Sequence, residues 1–325
     1  MNKNLQNLLP YGMINKRLKS NEFFGKEALD IPELYNSKGE KYKVFYLKNS
    51  LNAHTPYSMV AGRISDRILW DRFNQGLPIH FYSHRDMLDT SRFAQKKFGV
   101  LRESEAIVPD DYKLLLNNPG LAGDFTHIFT HNEEILNKYT NASFIPSYGV
   151  WYGTKLFGGT LSDTAYENKN REVSFISSDK AISEYHKIRI MLAQKYKNHE
   201  KIDGFGKAFN NYINLKADAL TSYRYSIVIE NGCSPYYFTE KILDCFASMT
   251  VPIYLGATKI DEFFNSDGII TLPKDNLDSL DKILDSCCKE DYESRLEAIK
   301  DNYIRVQKYM SFEDYLLDNY GNMFE

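Results

Sequence analysis

The chain has 325 residues, 43% of them apolar and 26% charged, with a net charge of −3. That length exceeds what one compact core usually holds and predicts two domains, while the mild negative charge excludes a broad nucleic-acid surface, which needs a basic stripe. The four cysteines, Cys233, Cys245, Cys287 and Cys288, form no CxxC pair, so neither a zinc site nor a disulfide framework is expected, and a reducing, cytoplasmic setting is.

In chain order, residues 1–20 come first. They carry Lys3, Lys16, Arg17 and Lys19, no acid, and interleaved Leu5, Leu8, Leu9, Met13, Ile14 and Leu18. Such a segment suits peripheral contact with an anionic inner-membrane surface. A helix docked on its own domain and interrupted at Pro10 is the plainer reading of it. No run of about 18 apolar residues and no secretory h-region occurs, so neither a membrane span nor a signal peptide is expected.

KYKVFYLKN (41–49) then predicts a strand. DRILWDRFNQG (66–76) has Ile68, Leu69 and Phe73 at helical spacing and predicts a helix that stops at Gly76. LPIHFYSHR (77–85) predicts the next strand. FGVLRESEAIVPDDYKLLLNN predicts a short strand, an acidic loop and a helix from near Pro109. DFTHIFTHNEEILNKY predicts a strand and a helix, and ASFIPSYGVWYG closes this half. Leu156–Glu172 is polar with a glycine pair and predicts a linker.

The pattern then restarts. VSFISS predicts a strand, SEYHKIRIMLAQKY a helix with Ile188, Met191, Leu192 and Tyr196 on one side, and KIDGFG a strand and turn. YSIVIE, a helix over Thr239–Met249, VPIYLG, a helix near Lys259–Phe264 and GIITL follow, with helix from about Asp278 onward. Alternating strands and helices predict parallel sheets. The fold class is therefore α/β, with two Rossmann-like domains, 1–165 and 166–325, facing a cleft.

One turn holds more polar chemistry than a core requires. YSIVIE reads as a buried parallel strand, and open α/β sheets bind ligands at the C-terminal ends of their strands. Glu230 and Asn231 stand at that end. Thr239 suits the N-cap of the next helix, which puts Glu240 and Lys241 in its first turn. Free N–H groups and a partial positive charge make that terminus attractive to phosphate. A lysine opposes the dipole there, which points to a ligand for Lys241. Glu240 suits ribose hydroxyls, and Tyr236 or Tyr237 suits stacking on a base. Singly, each residue has a plainer explanation as a dipole-complementing acid or a solvated surface group.

ENGCSPYYFTEK resembles the signature of the family 10 glycosyltransferases, the α-1,3-fucosyltransferases, whose pattern reads roughly E-N-S-x-x-x-D-Y-[VI]-T-E-K. It matches at Glu230, Asn231, Tyr237, Thr239, Glu240 and Lys241, with Pro235 as in some members, and departs at Gly232 and Tyr236. SYRYSIVIEN and VPIYLG also resemble the family's flanking strands. The VSFISS…KIDGFG stretch resembles a segment whose arginine falls on Arg189, with Lys187 and His186 nearby. LRESEAIVPDDY resembles the acidic loop of the proposed catalytic base, placing it at Glu103, with Glu105 second. FTHIFTHNEEILNKY…FIPSYG resembles the next segment.

The resemblance implies a GT-B fold, an N-terminal acceptor domain, a C-terminal nucleotide-sugar domain, and inverting transfer of fucose from GDP-fucose to a glycan hydroxyl. Glu103 is then the catalytic base, and Arg189, Glu230, Asn231, Tyr237, Thr239, Glu240 and Lys241 bind the donor. No cofactor is expected, and no metal: no two aspartates stand two apart, and no HExxH occurs. His127 and His131 lie about 13 Å apart if THIFTH is a strand. A structural or acceptor-contacting role suits both better than a metal. The competing readings are a GT-B enzyme with another nucleotide sugar, which Gly232 and Tyr236 leave open, and an inactive nucleotide- or carbohydrate-binding protein. A dinucleotide or S-adenosylmethionine enzyme is disfavoured, since no GxGxxG follows a strand.

Overall fold

The computed structural model describes residues 35–36, 38–51, 58–59, 63, 65–153 and 159–325. The basic segment 1–20 lies outside the described residues. The chain divides into two compact units. Of the described residues, those up to 102, 111–145 and 311–325 form the first; 103–110 and those within 146–310 form the second. The chain thus passes between units four times, unlike the single crossing at 165/166 that the sequence suggests. A loop ahead of Pro109 and the last helix each join the unit opposite to their position in the chain.

The first unit is built on a parallel sheet in the order β2-β1-β3-β4-β5-β6. Its strands are β1 (Lys43–Lys48), β2 (Ile68–Asp71), β3 (Ile79–Ser83), β4 (Lys96–Leu101), β5 (His127–Thr130) and β6 (Ala142–Phe144). The helix Pro109–Asn117 begins with proline, whose missing N–H costs nothing in a first turn. The helix expected over 66–76 is instead β2, a strand whose four residues are all buried, followed by turns. Pairing with β1 overrides the helical spacing, and the Asp71 carboxylate ends the strand by accepting from Phe73 N and Asn74 N.

The second unit has a five-stranded parallel sheet in the order β11-β10-β9-β7-β8. The strands are β7 (Arg171–Ile176), β8 (Ile202–Phe205), β9 (Tyr223–Ile229), β10 (Val251–Leu255) and β11 (Ile270–Thr271). Every residue of β9 and β10 is buried, as expected for central parallel strands covered on both faces. Val173, Phe175, Ile227, Ile229, Val251 and Ile253 form the middle of the core. Each such side chain contributes about 1.5–3 kcal/mol by leaving water. Gly206, after β8, has φ +89°, and a Cβ there would overlap the Ser177 carbonyl oxygen.

The helix Glu184–Lys195 buries Tyr185, His186, Arg189, Leu192 and Ala193, whereas Met191 is exposed. The apolar side expected through Met191 is therefore turned by roughly half a helical face. The helix expected near 259–264 is a single 3₁₀ turn, Ile260–Glu262. Helices Ser279–Ser286, Lys289–Ser294 and Leu296–Val306 complete this unit, and Phe312–Tyr320 returns to the first.

Candidate functional site

The turn between β9 and the helix Glu240–Ala247 is built on one buried carboxylate. Glu230 is 0% exposed. Its Oε1 accepts from Thr239 N at 2.9 Å and its Oε2 from the Thr239 hydroxyl at 2.7 Å. Thr239 is the N-cap, and its Oγ1 also accepts from Lys241 N at 3.3 Å. Both donors of one residue thus fall on both oxygens of another, which fixes the helix start against the strand end.

Lys241 Nζ lies 3.3 Å from Glu230 Oε2, 3.3 Å from Glu240 Oε1 and 3.0 Å from Thr239 Oγ1. Burial acts to lower the pKa of this amine, but Glu240 and Glu230 outweigh it and hold the amine above its ordinary value. Burial acts to raise the Glu240 carboxyl, but Lys241 and then Lys216 outweigh it and hold the carboxyl below its ordinary value. Both groups are therefore charged near neutral pH. Lys241 keeps 24% of its side chain open to solvent, against 9% for Glu240, so its amine is the more accessible charge at the helix N-terminus.

Arg189 reaches the same strand end from the helix Glu184–Lys195. Its Nη2 donates to the carbonyls of Ile229 (2.5 Å) and Glu230 (3.2 Å) and to Asn231 Oδ1 (3.2 Å). Burial lowers its pKa, offset in part by Glu230 and Glu240. Its Nε has no hydrogen-bond partner among the described residues. Lys187 is exposed. His186 is buried in a capping box with Ser183, its imidazole pushed down to about 4 by burial, then by Arg189, Lys241 and Lys180. It is neutral at pH 7, so the cations here are Arg189 and Lys241.

Glu103 lies in the loop that follows β4, within the second unit. Its Oε1 accepts from Ser104 N at 2.9 Å and from the Tyr237 hydroxyl at 3.3 Å, and its Oε2 from the Tyr148 hydroxyl at 3.0 Å. The half-buried carboxylate is thereby oriented by two phenols, one of them from the signature itself. Glu105 is half-buried two residues on. The eight residues singled out from the sequence fall into two hydrogen-bonded sets: Glu103 with Tyr237, and Arg189, Asn231, Thr239 and Lys241 around Glu230, with Glu240 paired to Lys241. Of the two tyrosines weighed for stacking, Tyr237 is 1% exposed, and Tyr236 is the half-exposed one. The Tyr236 ring lies under Lys259 Nζ, 5.1 Å from its centroid.

Sequence reasoning missed three contributors. Tyr148 lies in the FIPSYG segment already singled out, and its position just after a strand end was the available signal. Lys216 gave none: it starts a 3₁₀ turn, Lys216–Ala219, between β8 and β9, yet its Nζ meets Asp244 Oδ2 at 2.5 Å and Glu240 Oε1 at 3.9 Å. Asp244, 1% exposed, also accepts from the N–H groups of Trp151 (2.7 Å) and Tyr152 (2.6 Å). Burial pushes its carboxyl up, against the pull of Lys216.

Among the described residues no cluster of three or more His, Cys, Asp or Glu could hold a metal ion. Nor is any helix long and apolar enough to cross a membrane. The four cysteines are free thiols.

Comparison with known proteins bears on this unit first. Residues 166–291 match the family described as Glycosyltransferase family 10 (fucosyltransferase) C-term. The α-(1,3)-fucosyltransferase FucT of Helicobacter pylori is 30% identical over 76 residues, which span 22% of this chain and 16% of that protein. An α1,3-fucosyltransferase solved with GDP superposes with a TM-score of 0.54 at 17% identity, over 90% of this chain and 93% of the other. Anabaena HepE, solved with UDP and glucose, gives a TM-score of 0.54 at 11% identity, over 77% and 78%. The two parallel sheets with their helices are the GT-B fold that the resemblance implied.

Proposed function

We propose, from the premise that residues 166–291 of this chain are a glycosyltransferase family 10 domain, that it transfers fucose from GDP-fucose to a hydroxyl of a glycan acceptor with inversion. The nucleotide sugar is assigned to the second unit and recognition of the acceptor to the first. The observation that carries the reading is that Glu103 is hydrogen-bonded to Tyr237, which lies in the same strand-to-helix turn that holds Glu230 and Lys241. A carboxylate and a phosphate-seeking helix start are the two chemical parts an inverting transfer needs.

Glu103 takes the proton of the acceptor hydroxyl as that oxygen bonds the anomeric carbon. The bond from the anomeric carbon to the diphosphate oxygen breaks in the same step, and the leaving diphosphate carries away the electron pair. Lys241, Arg189, Asn231 and the helix N-terminus meet the charge that develops there. Glu240 serves the ribose hydroxyls, with Glu230 and Thr239 building the turn. No metal is assigned a role. The protein is placed in the cytoplasm, with residues 1–20 available to an anionic membrane surface.

Thermal unfolding with GDP, UDP, dTDP, ADP, CMP, GDP-fucose and GDP-mannose tests the donor. A ligand at about 100 times its Kd adds ~2.7 kcal/mol of stability. Selective stabilisation by GDP and GDP-fucose supports the reading; selective stabilisation by UDP or dTDP refutes the donor. Glu103→Gln should retain GDP binding and lose about 100-fold or more in turnover. Unchanged turnover in that variant refutes the base.

A further inference from the structure

We propose that Gly232 is a positioning residue for Glu103: its missing side chain is what lets the loop 103–106 seat against the donor turn. The inference rests on Glu103 being the base. Gly232 is buried, and its backbone is not left-handed, so glycine is required here for space and not for conformation. A Cβ on Gly232 would overlap Ser104 Oγ and stand 3.2 Å from Ala106 Cβ, inside the about 3.5–4.0 Å at which carbon atoms pack best.

Ser104 cannot yield cheaply. It is buried, and its Oγ accepts from Ala106 N at 3.2 Å. Its carbonyl accepts from Ile107 N at 2.9 Å and Val108 N at 3.1 Å. Turning the hydroxyl away leaves the Ala106 N–H without that acceptor, so the loop itself must shift. Glu103 is the preceding residue, and its carboxylate is held by the Ser104 N–H at 2.9 Å. Moving Ser104 therefore moves the base relative to Tyr148 and Tyr237, which fix its other contacts. The signature pattern commonly has serine at this position. In this chain the Ser104 hydroxyl fills the space such a side chain would enter, so the departure at Gly232 and the presence of Ser104 belong together.

The test compares unaltered protein, Gly232→Ala, Ser104→Ala and the double variant, by kcat and KM for GDP-fucose and by Tm with and without GDP. Gly232→Ala should lower kcat by about 10–100-fold, in line with the cost of a misplacement near 1 Å. The Tm gain given by GDP should stay unchanged. The double variant, which lacks the clashing hydroxyl and, like Ser104→Ala, the Ala106 N–H acceptor, should recover kcat to about the level of Ser104→Ala. Three results overturn the proposal: kcat in Gly232→Ala within about two-fold of the unaltered protein, loss of GDP binding in step with kcat, or a double variant no better than Gly232→Ala. If Gly232→Ala does not fold, folding of the double variant supports the proposal and its failure to fold overturns it. If the unaltered protein does not turn over GDP-fucose, the functional reading fails and the seating is read from Tm. A loss in Gly232→Ala relieved in the double variant supports it, and additive losses overturn it.

Discussion

Replacing Lys241 by alanine separates what this residue does for the fold from what it does for a ligand. Its amine lies 3.3 Å from each of two carboxylates, Glu230 and Glu240, whose side chains are 0% and 9% exposed. At that distance and an effective dielectric constant of 20, each pair attracts with about 5 kcal/mol before desolvation is subtracted. Removing one partner of a buried pair typically costs about 3–5 kcal/mol, because the other charge stays buried. The Lys241 side chain is 24% exposed, so screening reduces this to about 2–4 kcal/mol. That corresponds to a fall in Tm of about 4–16 °C for a unit of this size.

The loss should depend on pH, and its sign follows from Glu240. In the unaltered protein the carboxyl is held below its ordinary value, so its contribution is present above the unfolded value and is lost as pH falls through the folded one. Without Lys241, Glu240 keeps Lys216 at 3.9 Å and the Thr239 hydrogen bond, against burial, the largest influence on it. Its pKa then rises above the unfolded value, and protonation relieves the penalty as pH falls. The difference in Tm between Lys241→Ala and the unaltered protein should be larger at pH 8 than at pH 5, in the absence of nucleotide. An equal difference at the two pH values, or a loss under about 1 °C at pH 8, refutes the account of this turn.

Tyr148→Phe removes one of the two phenols on Glu103; a hydrogen bond to a charged group is worth about 1.5–3 kcal/mol, so kcat should fall by about 10-fold or more while GDP still stabilises the protein. Gly206→Ala forces a side chain into a left-handed position against the Ser177 carbonyl and should destabilise by about 1–3 kcal/mol, read as a lower Tm. Burial raises the Glu313 carboxyl to about 7, although it accepts from Met59 N and Trp70 Nε1. Its stabilisation is therefore full below the unfolded value of 4.5 and declines as pH rises to about 7, by about 3 kcal/mol in all. Glu313→Gln should flatten that decline in a Tm-versus-pH series.

The central strands were legible because buried parallel strands are continuous apolar runs, and β9 and β10 are buried throughout. The errors arose where tertiary pairing outweighed local spacing. Ile68, Leu69 and Phe73 satisfy a helical period, yet Ile68–Asp71 bury both faces of a strand beside β1. On the helix Glu184–Lys195, hydrophobicity placed Met191 inside. Arg189 takes the inner side instead, because its guanidinium supplies donors to the carbonyls where β9 ends. The division into units was illegible for a related reason. Residues 103–110 and 311–325 carry no compositional mark of the unit they join.

The candidate site was legible where one turn brings its residues together in sequence, and obscure where distant segments meet. Thr239 as N-cap, with Glu240 and Lys241 in the first turn, follows from capping chemistry alone. Lys216 and Asp244, 28 residues apart, meet only in three dimensions. The structure also divides the signature by task. Glu230 is enclosed, with both oxygens taken by Thr239 and one also by Lys241, so it bears on a ligand through those neighbours. Lys241 is partly open, and Asn231 and Tyr236 are half-buried. Selection on a signature of this kind therefore acts on two different properties: enclosed positions are constrained by the geometry of the helix start, and open ones by the ligand. Substitutions at Glu230 should accordingly show first in Tm, and those at Asn231 first in nucleotide affinity. Equal Tm losses at the two positions, with affinity unchanged at Asn231, would contradict that division.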